Sequence, residues 1–195
     1  SVGNITTGGT GKTPACVWLV RKIGEWQSHF SPVLVSRGYG NDESLLLKRS
    51  LPEVEHFINS KRYLAGLEAI DRLGKEICLI LDDGFQHRAL QRDLDIVLID
   101  ASNPFGFGHL LPRGFLREPL SHLRRADVVV LTRCDMAEER LLLETQKALR
   151  IFTQAPQLKS IHKVAGMRPA STSPEGKWGE GKKLPFAGMI RIRFQ

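Results

Sequence analysis

Solid apolar runs set the first pattern along the chain. Val33-Leu34-Val35, Ile77-Cys78-Leu79-Ile80-Leu81, Ile96-Val97-Leu98-Ile99 and Val128-Val129-Val130-Leu131 are hydrophobic at successive positions. Strands covered on both faces of a parallel sheet read this way, whereas half-exposed strands alternate. Several of the runs end in a polar residue at the same relative place: Ser36, Asp82, Asp100 and Thr132. The carboxyl ends of strands form the ligand crevice of open α/β sheets, so these positions mark a binding edge. Helix-compatible stretches lie between the runs, at about Lys12 to Trp26, Arg62 to Leu73 and Met136 to Phe152. The last carries Met136, Leu141, Leu142, Thr145, Leu149 and Phe152 at a spacing near that of a helical turn. The pattern predicts an α/β fold over about residues 1–170, a doubly wound, mostly parallel sheet with helices on both faces. Beyond Pro169, Ser171-Thr172-Ser173-Pro174-Glu175-Gly176 and then Gly179, Gly181, Lys182 and Lys183 read as a linker. Met189 to Gln195 suits either a short strand or a terminus with nothing to pair with.

Composition narrows the class without choosing a function. With 195 residues, 42% hydrophobic and 25% charged, the chain fits one domain, or two small ones, able to bury a core unaided. Lysine and arginine number 28 against 21 acids, a net charge of +7. That excess favours anionic partners such as nucleotides, phosphorylated substrates, acidic lipid surfaces or nucleic acid. Cys16, Cys78 and Cys134 are far apart and odd in number, which argues against a disulfide scaffold or zinc ribbon and for a reducing compartment. No apolar stretch reaches the roughly 18 residues of a spanning helix.

Chemistry enters at Thr6-Thr7-Gly8-Gly9-Thr10-Gly11-Lys12-Thr13. Preceded by apolar Val2 and Ile5 and followed by a helical pattern, it has the strand, loop, helix context of a phosphate-binding P-loop. Glycines let successive N–H groups turn inward around phosphate oxygens, and the helix start adds a positive potential. Lys12 is placed to reach the β- and γ-phosphates, Thr13 to ligate Mg²⁺, and Pro14 to sit in the first turn. Thr6 stands where the usual pattern has its first glycine, so Gly8 and Gly9 are expected to supply the flexibility. A Gly-rich turn without a nucleotide fits the same string.

The run Ile77 to Leu81 leads into Asp82-Asp83-Gly84-Phe85-Gln86-His87. An acid at the end of a buried strand is the Walker B arrangement, which holds Mg²⁺ directly or through water. Adjacent acids on extended chain point in opposite directions, so Asp82 and Asp83 are expected to do different jobs. His87 suits packing as well as function. Ser36-Arg37-Gly38-Tyr39-Gly40 leaves the second strand toward the same edge, placing Arg37 to contact phosphate or substrate, with Asp42 and Glu43 following. Residues 104–125 mix Phe105, Phe107 and Phe115 with glycines and with Arg113, Arg117, Arg124 and Arg125, a composition suited to a partly apolar anionic ligand. The segment lacks the stacking motif and continuous basic stripe of an RNA reader, so no nucleic-acid partner is expected.

Together these motifs resemble the tetraacyldisaccharide 4'-kinases of lipid A biosynthesis. The resemblance rests on Val2 to Pro14, whose missing first glycine is a family trait, on Ser36 to Gly40, on Asp82 to His87 with Arg92-Asp93, and on Gly106 through Leu116-Arg117-Glu118-Pro119. These stand in family order over about residues 1–170. The resemblance implies a P-loop kinase moving the γ-phosphate of ATP, with Mg²⁺, to the 4'-hydroxyl of an acylated glucosamine disaccharide 1-phosphate. It further implies that Thr6, Thr7, Gly8, Gly9, Thr10, Gly11, Lys12 and Thr13 bind ATP. Thr13, Asp82 and Asp83 would serve the metal, and Asp42, Lys12 and Asp83 catalysis, with Asp42 as base. Arg37, Gln86, His87, Arg117 and Glu118 would line the substrate site. Ser44 stands where the family's acidic motif has proline.

The expected setting is a membrane surface, reached through an N-terminal helix this chain lacks and facing the cytoplasm in a bacterium, or an organelle in a eukaryote. No obligate protein partner is expected. Residues 171–195 would be a linker and the truncated start of a second lobe. Two other readings remain open: a partitioning-type P-loop ATPase switch, and a truncated paralogue that binds nucleotide or lipid without turnover.

Overall fold

The computed structural model describes residues 1–26, 29–38, 41–169 and 186–194. In chain order these form β1 (Val2–Asn4), α1 (Lys12–Glu25), β2 (Ser31–Ser36), α2 (Asn41–Ser50), β3 (His56–Ile58), α3 (Arg62–Leu73), β4 (Ile77–Leu81), β5 (Ile96–Asp100), β6 (Val128–Thr132), α4 (Glu139–Phe152), β7 (Gln157–Pro169) and β8 (Phe186–Phe194). Short 3-10 segments lie at Gly106–Gly108 and Leu120–Arg125.

Strands β3-β2-β4 form one parallel group, and β1-β5-β6-β7 another, with β8 antiparallel on the outer edge. A parallel bridge from Val2 to Asp82 joins the two groups. It is reinforced by Asp82 N–H to the Val35 carbonyl (2.9 Å) and Gly84 N–H to the Val2 carbonyl (3.1 Å). The strands therefore run β3-β2-β4-β1-β5-β6-β7-β8. From β1 the chain travels outward through α1 to β2 and β3, and after β4 it crosses to β5 on the other side of β1. The order reverses between β1 and β4, and a crevice opens at their carboxyl ends, where ligands of such sheets bind.

Alternate residues of each central strand feed opposite cores. Leu34, Ile80, Leu98 and Val130 pack with Ala15, Cys16 and Val20 of α1 and with Leu47 and Leu51 at α2. Val97, Ile99, Val129 and Leu131 face Leu142 and Leu149 of α4, while Val33, Val35 and Leu81 face Ala65 and Ala69 of α3. Burial on both faces explains why these strands are apolar at every position. Phe85, fully buried, presses against β1: a Cβ at Gly3 would lie 2.5 Å from the Phe85 Cβ and 2.7 Å from its backbone nitrogen. Helix α4 begins three residues later than the apolar spacing suggests, because Met136 is 69% exposed in a turn and Glu138 is extended. Helix α2 and strands β3 and β7 have no counterpart in the apolar runs. Among the described residues no helix is long and apolar enough to cross a membrane. The linker predicted around residues 171–185 lies outside the described residues.

Candidate active site

The loop between β1 and α1 is shaped from beneath by Asn4, fully buried at the end of β1. Its Nδ2 donates to the Thr6 carbonyl (2.7 Å) and to Thr10 Oγ1 (3.0 Å). Thr7 N–H donates to the Phe115 carbonyl (2.8 Å). From the other flank, Thr132 Oγ1 donates to the Thr10 carbonyl (3.0 Å) and Arg133 Nη2 to the Gly9 carbonyl (2.6 Å), with Arg133 also paired to Asp100. The left-handed turns fall at Gly8 (φ 110°) and Gly11 (φ 89°), not at Gly9. Helix α1 starts directly after Gly11 with no side-chain cap and no acid in its first turn. A helix start left this way presents its N–H groups to an anion, and Lys12 and Thr13 stand at that start.

Across the β1/β4 seam, the two aspartates face different partners. Asp82 is 7% exposed, and the Cys16 thiol of α1 approaches its Oδ1 at 3.6 Å. Burial and then the Asp82 charge push the Cys16 thiol well above its ordinary range, so it stays a donor. Asp83 adopts a left-handed backbone (φ 51°). Its carboxylate takes Arg117 Nη1 at 2.6 Å and Nη2 at 3.1 Å, and Lys12 Nζ lies 3.6 Å away. Burial opposes ionisation of Asp83, but the Arg117 hydrogen bonds and the Lys12, Arg117 and Arg62 charges outweigh it and hold its pKa below the ordinary value.

Arg117 also donates to Asn4 Oδ1 (3.1 Å), so Asn4 ties the phosphate loop to the cation facing Asp83. Gln86 Nε2 donates to the Asn4 carbonyl (2.8 Å) and to Glu118 Oε1 (2.7 Å). Glu118, buried, is paired in turn with His122 and Arg125, and the Arg125 guanidinium lies 4.2 Å above the Phe85 ring. Gln86, Arg117 and Glu118 are thus assembled from segments about thirty residues apart. His87 is half-buried. Burial first, then the charges of Arg62, Arg92 and Arg37, lower its pKa and keep it neutral near pH 7.

A polar cavity of about 110 Å³ opens beside the aspartates, lined by Ser36, Arg37, Ser44, Arg62, Asp82 and Asp83 among others. Arg62, at the first position of α3, is 6% exposed and donates to the Asp82 (3.4 Å) and Asp83 (3.1 Å) carbonyls. Its buried Nε has no hydrogen-bond partner among the described residues. Helix α2 begins at Asn41, so Asp42 lies in its first turn. The Asp42 side chain, like Tyr39 and Gly40, lies outside the described residues.

Asn4, Arg62 and Arg133 join the site without having been given a role from sequence, and Arg125, named there only for its charge, acts by pairing with Glu118. Only Arg62 carried a local sign: a cation at a helix start opposes the helix dipole unless something else holds it. The side-chain oxygens of Thr13, Asp82 and Asp83 have the hardness Mg²⁺ requires, and the uncapped start of α1 suits a phosphate. The residues present fit a magnesium nucleotide.

The fold is similar to that of hydrogenase maturation factor HypB from Archaeoglobus fulgidus, with a TM-score of 0.57 at 11% identity over 82% of this chain and 80% of that one. The family model described as tetraacyldisaccharide-1-P 4'-kinase matches residues 1–42 and 41–191. The chain belongs to the tetraacyldisaccharide-1-P 4'-kinase family. A relative of that name from Anaeromyxobacter sp. (strain Fw109-5) is 42% identical over 98% of this chain and 57% of its own length. Another from Syntrophus aciditrophicus (strain SB) is 45% identical over 68% of this chain and 41% of its own length. A third, from Halothermothrix orenii, is 42% identical over 79% of this chain and 45% of its own. The chain spans about half the length of the curated relatives it matches.

Proposed function

We propose that this chain is the nucleotide-binding part of an ATP-dependent kinase that transfers the γ-phosphate to the 4'-hydroxyl of an acylated glucosamine disaccharide 1-phosphate. The observation that carries the reading is the convergence of Lys12, Asp83 and Arg117 beside the uncapped start of α1, in a chain of this kinase family. The amides of Thr6 to Thr13 bind the phosphates, and Lys12 balances the charge on the transferring group. Thr13, Asp82 and Asp83 would hold Mg²⁺, which would supply charge neutralisation on the phosphates. Arg117 fixes the Asp83 carboxylate, and Asn4 fixes Arg117. Asp42 orients or deprotonates the sugar hydroxyl. Arg37, Gln86, His87 and Glu118 shape the acceptor side. Residues 1–170 form the kinase core and residues 171–195 lead toward a second lobe. The protein works peripherally at a membrane, on its cytoplasmic face in a bacterium.

Incubation of the protein with γ-labelled ATP and the acylated disaccharide 1-phosphate tests this. Label moves to the lipid, and Lys12→Ala lowers the rate by at least about 100-fold, as loss of a charge-stabilising group does. Label that never reaches lipid, or full turnover by Lys12→Ala, would overturn the reading.

A further inference from the structure

The loop between β5 and the Leu120–Arg125 segment turns apolar side chains outward. Phe107 is 69% exposed, Leu111 51%, Leu110 46% and Phe115 45%. Four such residues within nine positions form a patch and not the scattered exposure normal on a surface. The loop is not loose. Leu111 N–H donates to the Leu116 carbonyl, Gly114 N–H to Leu110, Phe115 N–H to Gly106 and Leu116 N–H to His109, all at 2.9 to 3.0 Å. The Phe107 and Phe115 rings meet edge to face at 5.2 Å. Phe107 holds a left-handed backbone (φ 64°), which a bulky residue rarely adopts. The backbone therefore fixes an aromatic ring in water against its own preference.

Residues 101–117 contain Arg113 and Arg117 and no acid. The base of the same loop borders the site, through Phe115 O on Thr7 N–H and Arg117 on Asp83. We infer that this tip docks on an anionic lipid bilayer. Phe107, Leu110, Leu111 and Phe115 would enter the boundary between headgroups and acyl chains, with Arg113 against the lipid phosphates. This rests on the reading that the acceptor is an acylated lipid, which must be met where it lies in the membrane. The occupant follows from size and charge. Nine residues fall well short of the roughly 20–30 a side of a stable protein interface. An exposed apolar segment with a cation and no acid is complementary to an anionic lipid surface.

The test is sedimentation of the protein with mixed phosphatidylcholine and phosphatidylglycerol vesicles. Phe107→Asn/Leu111→Ser, in which asparagine suits the left-handed position, lowers the partition coefficient by about tenfold, as removal of buried apolar groups does. Leu67→Ser, on the 58%-exposed Leu67 of α3, leaves it unchanged, and Phe107→Trp preserves it. Unchanged ATP affinity in the double variant shows that its fold is intact. Wild-type partitioning by the double variant, or an equal loss in Leu67→Ser, would overturn the inference. Label transfer to detergent-dispersed disaccharide separates it from the kinase reading. Transfer with vesicle binding insensitive to the loop sinks the docking alone, and loop-dependent vesicle binding without transfer sinks the kinase alone.

Discussion

Asn4 holds more of the site together than any residue of the phosphate loop itself. Its side chain touches the loop at two points and Arg117 at a third, and its carbonyl receives Gln86. Asn4→Ala leaves Thr10 and Arg117 short of a partner at a buried position, at a cost of about 1–3 kcal/mol. In steady-state kinetics kcat falls about tenfold or more while the KM for ATP changes less, because the loop amides remain and their placement relative to Asp83 does not. Asn4→Asp, which still accepts from Arg117, recovers part of that loss, and a uniform rise in KM alone would contradict the role.

Two histidines carry a pH signature. Burial lowers the pKa of His56, as does the Lys48 charge, and His87 is lowered by burial and by its three arginine neighbours, both from 6.5. The unfolded chain takes up these protons near pH 6.5 and the folded chain only at lower pH. Their contribution to stability is complete above 6.5 and is lost progressively as pH falls toward the folded values. Thermal unfolding followed from pH 7.5 to 5.5 shows a falling Tm, and glutamine at both positions flattens that slope.

Secondary structure was legible where burial dominates. The boundaries of α3 and β4 follow their apolar spacing to the residue, because both faces of the sheet are covered and each strand must be apolar throughout. Helix α2 was not legible: Asn41–Ser50 is mostly polar and touches the core through Leu47. Strand β3 is three residues long, too short to establish a period. The site divides along the same line. Its phosphate loop and Asp82-Asp83 are contiguous and visible in sequence, whereas the Asn4 to Arg117 bond spans 113 residues and only the fold reveals it. The close seat of Phe85 on β1 belongs with the second kind. Gly3→Ala forces a methyl group against the Cβ and backbone of Phe85, atoms that cannot swing aside, and destabilises by about 1–3 kcal/mol in denaturant unfolding. No change in midpoint would mean β1 has room to shift.

At the scale of the whole molecule, the net charge of +7 gains a location. Lys12, Arg37, Arg62 and Arg117 gather at the carboxyl edge of β1 and β4, and Arg113 stands on the apolar tip beside it. This arrangement suits the proposed anionic nucleotide against the sheet and the proposed anionic lipid at its rim. The chain spans about half the length of the relatives it matches. The most direct test is mass analysis of the lipid product after reaction of the protein with ATP and the acylated disaccharide 1-phosphate. One added phosphoryl group is expected, on the 4'-oxygen and dependent on Lys12. Inorganic phosphate released without a phosphorylated lipid would contradict it.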